Sequence, residues 1–219
     1  MNLIIEKLFP EKYQDVFRIS NPFVITCMKS GDLLETAVIQ RLCVEPMVFT
    51  KSIQGPDKRE NKIKVLASLD GHKNEKIYEV KLLSKELLSS IKKTRLCPPH
   101  VYAQIQMQLF VADSDCCEFY YGSYADVRST IGPHGVDGID NIIKNNMILV
   151  RRNNSVISSI VAGIVTLDSI IKNIISKPLL TFDSLCETVR ESFTQVSQEA
   201  FNNCESWIYD YRNETFFRK

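Results

Sequence analysis

Three ionisable residues, Asp70, Glu79 and Lys81, fall within the fifteen-residue stretch ASLDGHKNEKIYEVK at positions 67–81. Its ends are apolar and strand-like, and its middle is a polar turn. Side chains alternate across a strand, so Glu79 and Lys81 point to one face. Antiparallel pairing across the turn brings Asp70, at the end of the preceding strand, beside Glu79. Two carboxylates that close repel each other unless a cation lies between them. A hard divalent ion with oxygen ligands relieves the repulsion, and Mg²⁺ is the natural choice. A lysine on the same face then orients water or stabilises charge building on a phosphate oxygen, while the metal polarises phosphorus and acidifies bound water. The pattern D-x8-E-x-K therefore has a chemical logic for phosphodiester hydrolysis. It equally describes a solvated hairpin with ordinary charges, and the spacing alone leaves both readings open.

The surroundings add to the set. Glu35 lies in a helical segment just upstream, where it could supply a third carboxylate. Gln104, Gln106 and Gln108 punctuate an otherwise apolar segment. Buried amides need partners, and a metal-bound water beside that face would satisfy them; an exposed helix side would do so as well.

The elements that must position these groups follow from hydrophobic periodicity. KSGDLLETAVIQRL, from Lys29, carries Leu33, Leu34, Ala37, Val38 and Leu42 at helical spacing. MVFTKSIQ, KIKVLASLD and IYEVKLLS read as strands separated by the turns GPDKREN and GHKNEK. SKELLSSIKKTRL reads as a short helix or basic loop, and VYAQIQMQLFVAD as a helix with Val101, Ile105, Gln108 and Leu109 facing inward, or else as a strand. EFYYGSYA and NMILVRRN read as strands around the loop IGPHGVDG, and SVISSIVAGIVTLDSIIKNIIS as a long amphipathic helix. Helices are also expected over 1–20, interrupted by Pro10, and from 181 onward. The order of helix, three strands, helix, two strands and helix implies a mixed α/β domain with a central sheet.

Composition sets the bounds. The chain has 219 residues, enough for one domain with a sizeable core, and its eight Gly and eight Pro do not suggest a linker-rich chain. The charge-free stretch at 153–167 is too short and too rich in Ser to suggest a membrane span, and the N-terminus carries no leader pattern. Seven cysteines, an odd number without a CxxC pair, suit reduced thiols better than a disulfide framework or zinc ribbon. Net charge is +1, but 51–95 holds twelve Lys/Arg against six Asp/Glu. Such a band suits a polyanion or is simply a solvated, Lys-rich region. His72, His100 and His134 form no HxH or HxxxH cluster. Tyr120, Tyr121 and Tyr124 could stack on bases or belong to the core.

Taken in order, ASLDG, IYEVK and YAQIQMQLFVAD, with GDLLE (Gly31, Glu35) upstream and MILVRRNNSVISSIVAGIV downstream, match a known set of motifs. Over roughly 29–175 the chain resembles the family of phage lambda exonuclease and the YqaJ-like viral recombinases, within the PD-(D/E)XK nuclease superfamily. Those proteins carry Ser-x-Asp-Gly at a strand end, then Glu-x-Lys, then a Gln-x-Gln helix, with Gly-x3-Glu before them. The resemblance implies an α/β, PD-(D/E)XK nuclease-like core: a central mixed sheet flanked by helices, in a single nuclease domain over 1–219. Residues 176–219 would form a C-terminal helical extension without a counterpart in the motif set.

The resemblance also implies roles. Asp70 and Glu79 would hold the metal, with the Val80 carbonyl as a backbone ligand and Glu35 binding directly or through water. Lys81 would position the attacking water, Gln106 would lie near it, and Gln104 would support Gln106. Ser68 matches a serine that helps hold a terminal 5′-phosphate, and Lys92, Lys93 and Arg95 would contact the DNA backbone. Leu69 stands where the family usually has Pro, and Arg18 is the only Arg before Gly31. The expected activity is Mg²⁺-dependent exonuclease digestion of linear duplex DNA from its ends, 5′→3′, with Mn²⁺ substituting. It would act in viral or phage-type recombination, in the cytoplasm and without a membrane. A single-strand annealing protein and a homotrimeric ring are the implied partners. An endonuclease of restriction or repair type, or a non-catalytic nucleic-acid-binding protein of the same fold, is the alternative.

Overall fold

The structure, a computed structural model, describes residues 22–55, 62–130 and 137–175. The expected helices over 1–20 and from 181, together with His134, Cys186 and Cys204, lie outside them. The chain divides into two compact units, one formed by 20–52 and 64–158, the other by 1–19, 53–63 and 159–219. All candidate site residues belong to the first.

Its elements run α1 (Pro22–Leu42), β1 (Glu45–Gln54), β2 (Lys62–Lys73), β3 (Lys76–Leu83), α2 (Lys85–Thr94), α3 (Pro99–Ala112), β4 (Cys116–Ser123), α4 (Tyr124–Thr130), α5 (Asp137–Asn145), β5 (Met147–Arg151) and α6 (Asn154–Ile175). The strands form one sheet in the order β1-β2-β3-β4-β5. β2 and β3 are antiparallel, β3 and β4 parallel, and β4 and β5 antiparallel. The fold is therefore α/β with a mixed sheet flanked by helices, as the periodicity implies.

The β2–β3 hairpin is tighter than the expected turn over 71–76. Its register runs Gly71↔Tyr78, His72↔Ile77 and Lys73↔Lys76, so only Asn74 and Glu75 make the turn. Both have positive φ, 51° and 60°, the conformation that lets a two-residue loop match the twist of its strands. Continued by one residue, this register sets Asp70 opposite Glu79. Gly71 is fixed by crowding: a Cβ there would lie 2.5 Å from Val44 Cγ2 and 3.0 Å from Ile39 Cδ1.

One sheet face is an apolar core. Tyr78, Val80 and Tyr120 pack with Leu34, Val38 and Ile39 of α1, Val127 of α4, and Ile139 and Ile142 of α5. Each large apolar side chain so buried contributes about 1.5–3 kcal/mol. The opposite face presents Ile77, Glu79, Cys117, Phe119 and Tyr121, all buried, and α3 contacts both β3 and β4. Parallel strands need a crossover connection, and α2 and α3 provide it.

Local chemistry explains where these helices stop. α2 begins at Ser84, whose Oγ accepts from the Leu87 amide at 3.4 Å, and ends at Arg95, left-handed at φ 60°, whose N–H donates to Ile91 O. α3 opens with Pro99 in its first turn and closes at left-handed Asp113. SKELLSSIKKTRL is thus a helix rather than a loop.

Two helices were not expected. α5 carries Ile139, Ile142 and Ile143 at helical spacing, but in nine residues beside a glycine-rich stretch. α4 has only seven. α1 also begins earlier than Lys29, at Pro22. A further difference concerns α6: residues 154–173 are long and apolar enough to cross a membrane by length and composition, with 11% of the most apolar window buried. Within it Asp168 and Lys172 pair with each other at 2.7 Å. Core helices of soluble proteins meet the same criterion, so the property does not decide where the chain resides.

Candidate active site

β3 carries Glu79 into the sheet face beneath α3, where its side chain is completely buried. A carboxylate there requires hydrogen bonds and a counter-charge, and it has both. Gln104 Nε2 donates to Oε1 at 2.7 Å and Gln108 Nε2 to Oε2 at 2.6 Å. The Lys81 ammonium pairs with Oε1 as well. Lys81 follows on the same face, with about a third of its side chain exposed.

Asp70 is held from the neighbouring strand. Its Oδ2 accepts the Val80 amide proton at 2.8 Å. A side chain thus serves as acceptor just beyond the last paired residues, Gly71 and Tyr78. Burial first, and then the charge of Glu79, push the Asp70 carboxyl up to about 7, with the Val80 N–H and Lys81 opposing. Glu35 of α1 is raised too, chiefly by burial, with Lys81 lowering it and Glu79 raising it. For Lys81, burial works against the charged form, but the fields of Glu79, Asp70 and Glu35 together outweigh it and raise the ammonium. Four groups therefore feel one another: three carboxyls and one ammonium. Asp70 and Glu79 are thus buried or half-buried and hydrogen-bonded rather than solvated.

The donors suit a hard divalent cation in number and type. Among the described residues no three His, Cys, Asp or Glu side chains converge as a ready cage. Mg²⁺ commonly takes only one or two carboxylates and fills its octahedron with water and phosphate oxygens. Asp70 and Glu35 are both raised, by burial first and then in part by the charge of Glu79, and a bound cation would favour their ionised forms.

Gln106 is elsewhere. It is fully buried, donates through Nε2 to Arg151 O at 2.8 Å, and accepts the Asn153 amide at 2.7 Å. The reason is helical geometry: residues i and i+2 are about 200° apart around a helix, whereas i and i+4 share a face. Gln104 and Gln108 therefore meet Glu79, while Gln106 ties α3 to the β5–α6 junction. Gln108, grouped in the sequence with Gln104 and Gln106 and expected to face inward, is the second glutamine on Glu79.

The other expected positions are more peripheral. The Ser68 side chain is exposed, and its carbonyl accepts from Gln108 at 3.2 Å. The Val80 group seen to engage the site is the amide. Lys92, Lys93 and Arg95 are exposed, and the two lysines lie in the last turn of α2, where the helix dipole favours them. Tyr120 and Tyr121 are core residues, and Tyr124 is partly exposed. His72 stands edge-on to Phe49 with ring centroids 5.1 Å apart, and His100 is exposed. Cys27, Cys43, Cys97, Cys116 and Cys117 are free thiols.

No family model and no curated protein matches this chain. Several solved structures are similar. SSO0001 is 14% identical, covering 81% of this chain and 71% of its own, with a TM-score of 0.49. LHK-Exo, the alkaline exonuclease of Laribacter hongkongensis, in its complex with dAMP is 18% identical, covering 78% and 77%, with a TM-score of 0.48. A phage-related exonuclease from Haemophilus somnus is 15% identical over 72% of each chain, with a TM-score of 0.39. Likenesses at these identities and scores do not assign an activity.

Proposed function

We propose that the chain is a divalent-cation-dependent deoxyribonuclease acting at the ends of duplex DNA. The observation that carries this reading is the convergence of Asp70, Glu79 and Lys81 on one half-buried patch, within the field of Glu35. The order of sequence motifs from Gly31 to Gln106 supports the same reading.

Asp70 and Glu79 would hold the ion, with the Val80 carbonyl and Glu35, directly or through water, completing its oxygen donors. When bound, Mg²⁺ or Mn²⁺ supplies Lewis acidity toward the phosphate and acidifies a water. In the metal-free protein the carboxylate neighbours of Lys81 outweigh burial and raise its ammonium. Lys81 would serve as hydrogen-bond donor and positive charge, orienting water or meeting negative charge on a phosphate oxygen. Gln104 and Gln108 fix Glu79 by both oxygens. Ser68, Lys92, Lys93 and Arg95 are the proposed contacts to DNA, Ser68 for a terminal phosphate and the others for the backbone. Digestion 5′→3′, a part in recombination beside a single-strand annealing protein, a trimeric ring, a cytoplasmic setting and one nuclease domain with a C-terminal extension all belong to this proposal.

The test uses end-labelled linear duplex, with 5′-phosphate or 5′-hydroxyl, and a covalently closed circle, each with Mg²⁺, Mn²⁺ or chelator. Stepwise loss of nucleotides from the linear substrate alone is expected, and Lys81→Ala should lower the rate roughly 10²–10³-fold while retaining DNA binding. Cutting of the closed circle would make the protein an endonuclease. Intact DNA under every metal condition would leave a binding protein and end the proposal.

A further inference from the structure

Gln108 is the most fully enclosed of the polar groups that grip Glu79. It lies on α3 one turn beyond Gln104, 4% exposed, in a helix that also buries Ile105, Leu109 and Val111. Its Nε2 donates to Glu79 Oε2 at 2.6 Å and to the Ser68 carbonyl at 3.2 Å. Both partners are acceptors, so the amide nitrogen must face them. That leaves Oε1 among the few buried polar side-chain atoms without a partner in the described residues. A leucine or methionine would fill this position without the stranded Oε1, but would take the donor away from the buried Glu79 Oε2. What the glutamine provides instead is a bridge from the Glu79 carboxylate on β3 to the backbone of β2, two residues before Asp70. The bridge lies beyond the end of the paired register at Gly71↔Tyr78, where Val80 already donates to the Asp70 carboxylate rather than to a backbone carbonyl. Beyond that register, the Val80 N–H ties Asp70 to β3 and Gln108 ties Glu79 to β2.

We propose that Gln108 is a positioning residue: by tying Glu79 to the Ser68 carbonyl it sets how Asp70 and Glu79 face each other, and with it the affinity of the pair for a divalent cation. Gln104, more exposed, steadies the other oxygen of Glu79. The inference rests on the metal-dependent reading above but assigns a residue outside its Gln-x-Gln pair.

Gln108→Met keeps length and volume and removes both donors. The full chain and this variant are titrated with Mn²⁺ without DNA, free Mn²⁺ being read by electron paramagnetic resonance. Cleavage is then followed across the same metal range. The variant should bind Mn²⁺ about tenfold or more weakly, the scale of a lost hydrogen bond to a charged group. Its cleavage should need correspondingly more metal and recover when metal saturates. Wild-type Mn²⁺ affinity in the variant, or a rate reduced equally at every metal concentration, overturns the assignment. Should Gln108→Met fail to fold, Gln108→Asn, whose shorter amide cannot reach both acceptors, carries the same expectation. Wild-type protein that binds Mn²⁺ but leaves DNA intact would remove the nuclease reading while the affinity comparison still decides the role of Gln108. Wild-type protein that binds no Mn²⁺ overturns both.

Discussion

Glu79 and Glu118 lie on neighbouring strands and on opposite faces of the same sheet, because Tyr78, not Glu79, is the register partner of Glu118. Each has hydrogen bonds and a lysine, yet their electrostatics differ. Glu118 accepts Lys76 Nζ at 2.6 Å and the Tyr120 hydroxyl at 2.8 Å. One cation meets one anion there; the Tyr120 phenol is pushed far up, by burial and by its bond to Glu118. Glu79 shares its lysine with Asp70 and Glu35, so the same single cation faces three carboxyls. A neutral pair is a structural fixture. An acidic excess, half-buried and hydrogen-bonded into place, has capacity left for an external cation.

The largest effect separates the two acids outright. Asp70→Asn or Glu79→Gln should lower cleavage roughly a thousandfold, on the scale of losing a preorganised electrostatic group, whereas Glu118→Gln should leave the rate unchanged. Steady-state digestion of one labelled duplex compares all three. Equal loss in Glu118→Gln would erase the distinction between the faces.

A second, smaller effect lies in pH. The Asp70 carboxyl is raised to about 7 in the folded protein from an ordinary value of 3.8. The folded state therefore holds this proton more tightly than the unfolded chain, and stability falls as pH rises between those values, then levels off. Without metal, the melting temperature of the wild type relative to Asp70→Asn should decline from pH 5 to pH 8. Mg²⁺ should restore it above pH 7, where the carboxylate is ionised. Relative to Glu118→Gln, the decline should persist. Melting curves for wild type and Asp70→Asn that run parallel with pH would show that the acidic excess is not felt.

The smallest effect concerns the hairpin that brings the acids together. Glu75 holds φ at 60°, which costs a non-glycine residue about 1 kcal/mol. Glu75→Gly should recover up to about that amount in urea unfolding, offset by the greater freedom of glycine in the unfolded chain, with cleavage untouched. A changed cleavage rate would mean that turn geometry reaches Asp70 and Glu79.

Much of this arrangement was legible in the sequence because strand alternation is local. Glu79 and Lys81 share a face by counting, and Asp70 joins them once a hairpin is inferred. The inward turn of Val101, Ile105, Gln108 and Leu109 followed from helical spacing. What failed was the step from motif to angle. Gln-x-Gln invites a paired reading, but two residues along a helix diverge, so Gln106 serves the β5 junction and Gln108 serves Glu79. The short helices α4 and α5 were missed because seven and nine residues give few turns over which a period can be counted. Val127 of α4 and Ile139 and Ile142 of α5 are held by packing in the core rather than by propensity.

The parallel union of β3 and β4 has a covalent corollary. The polypeptide cannot pass from the end of one to the start of the other without travelling back along the sheet, and α3 lies on that return path. The glutamines are thereby delivered to Glu79 by chain connectivity as well as by affinity. Circular permutants should reveal this. New termini opened at Asn74–Glu75 leave the tether intact, whereas termini opened between Leu96 and Pro98 release α3 from β3 and make its docking depend on side-chain contacts and the link to β4 alone.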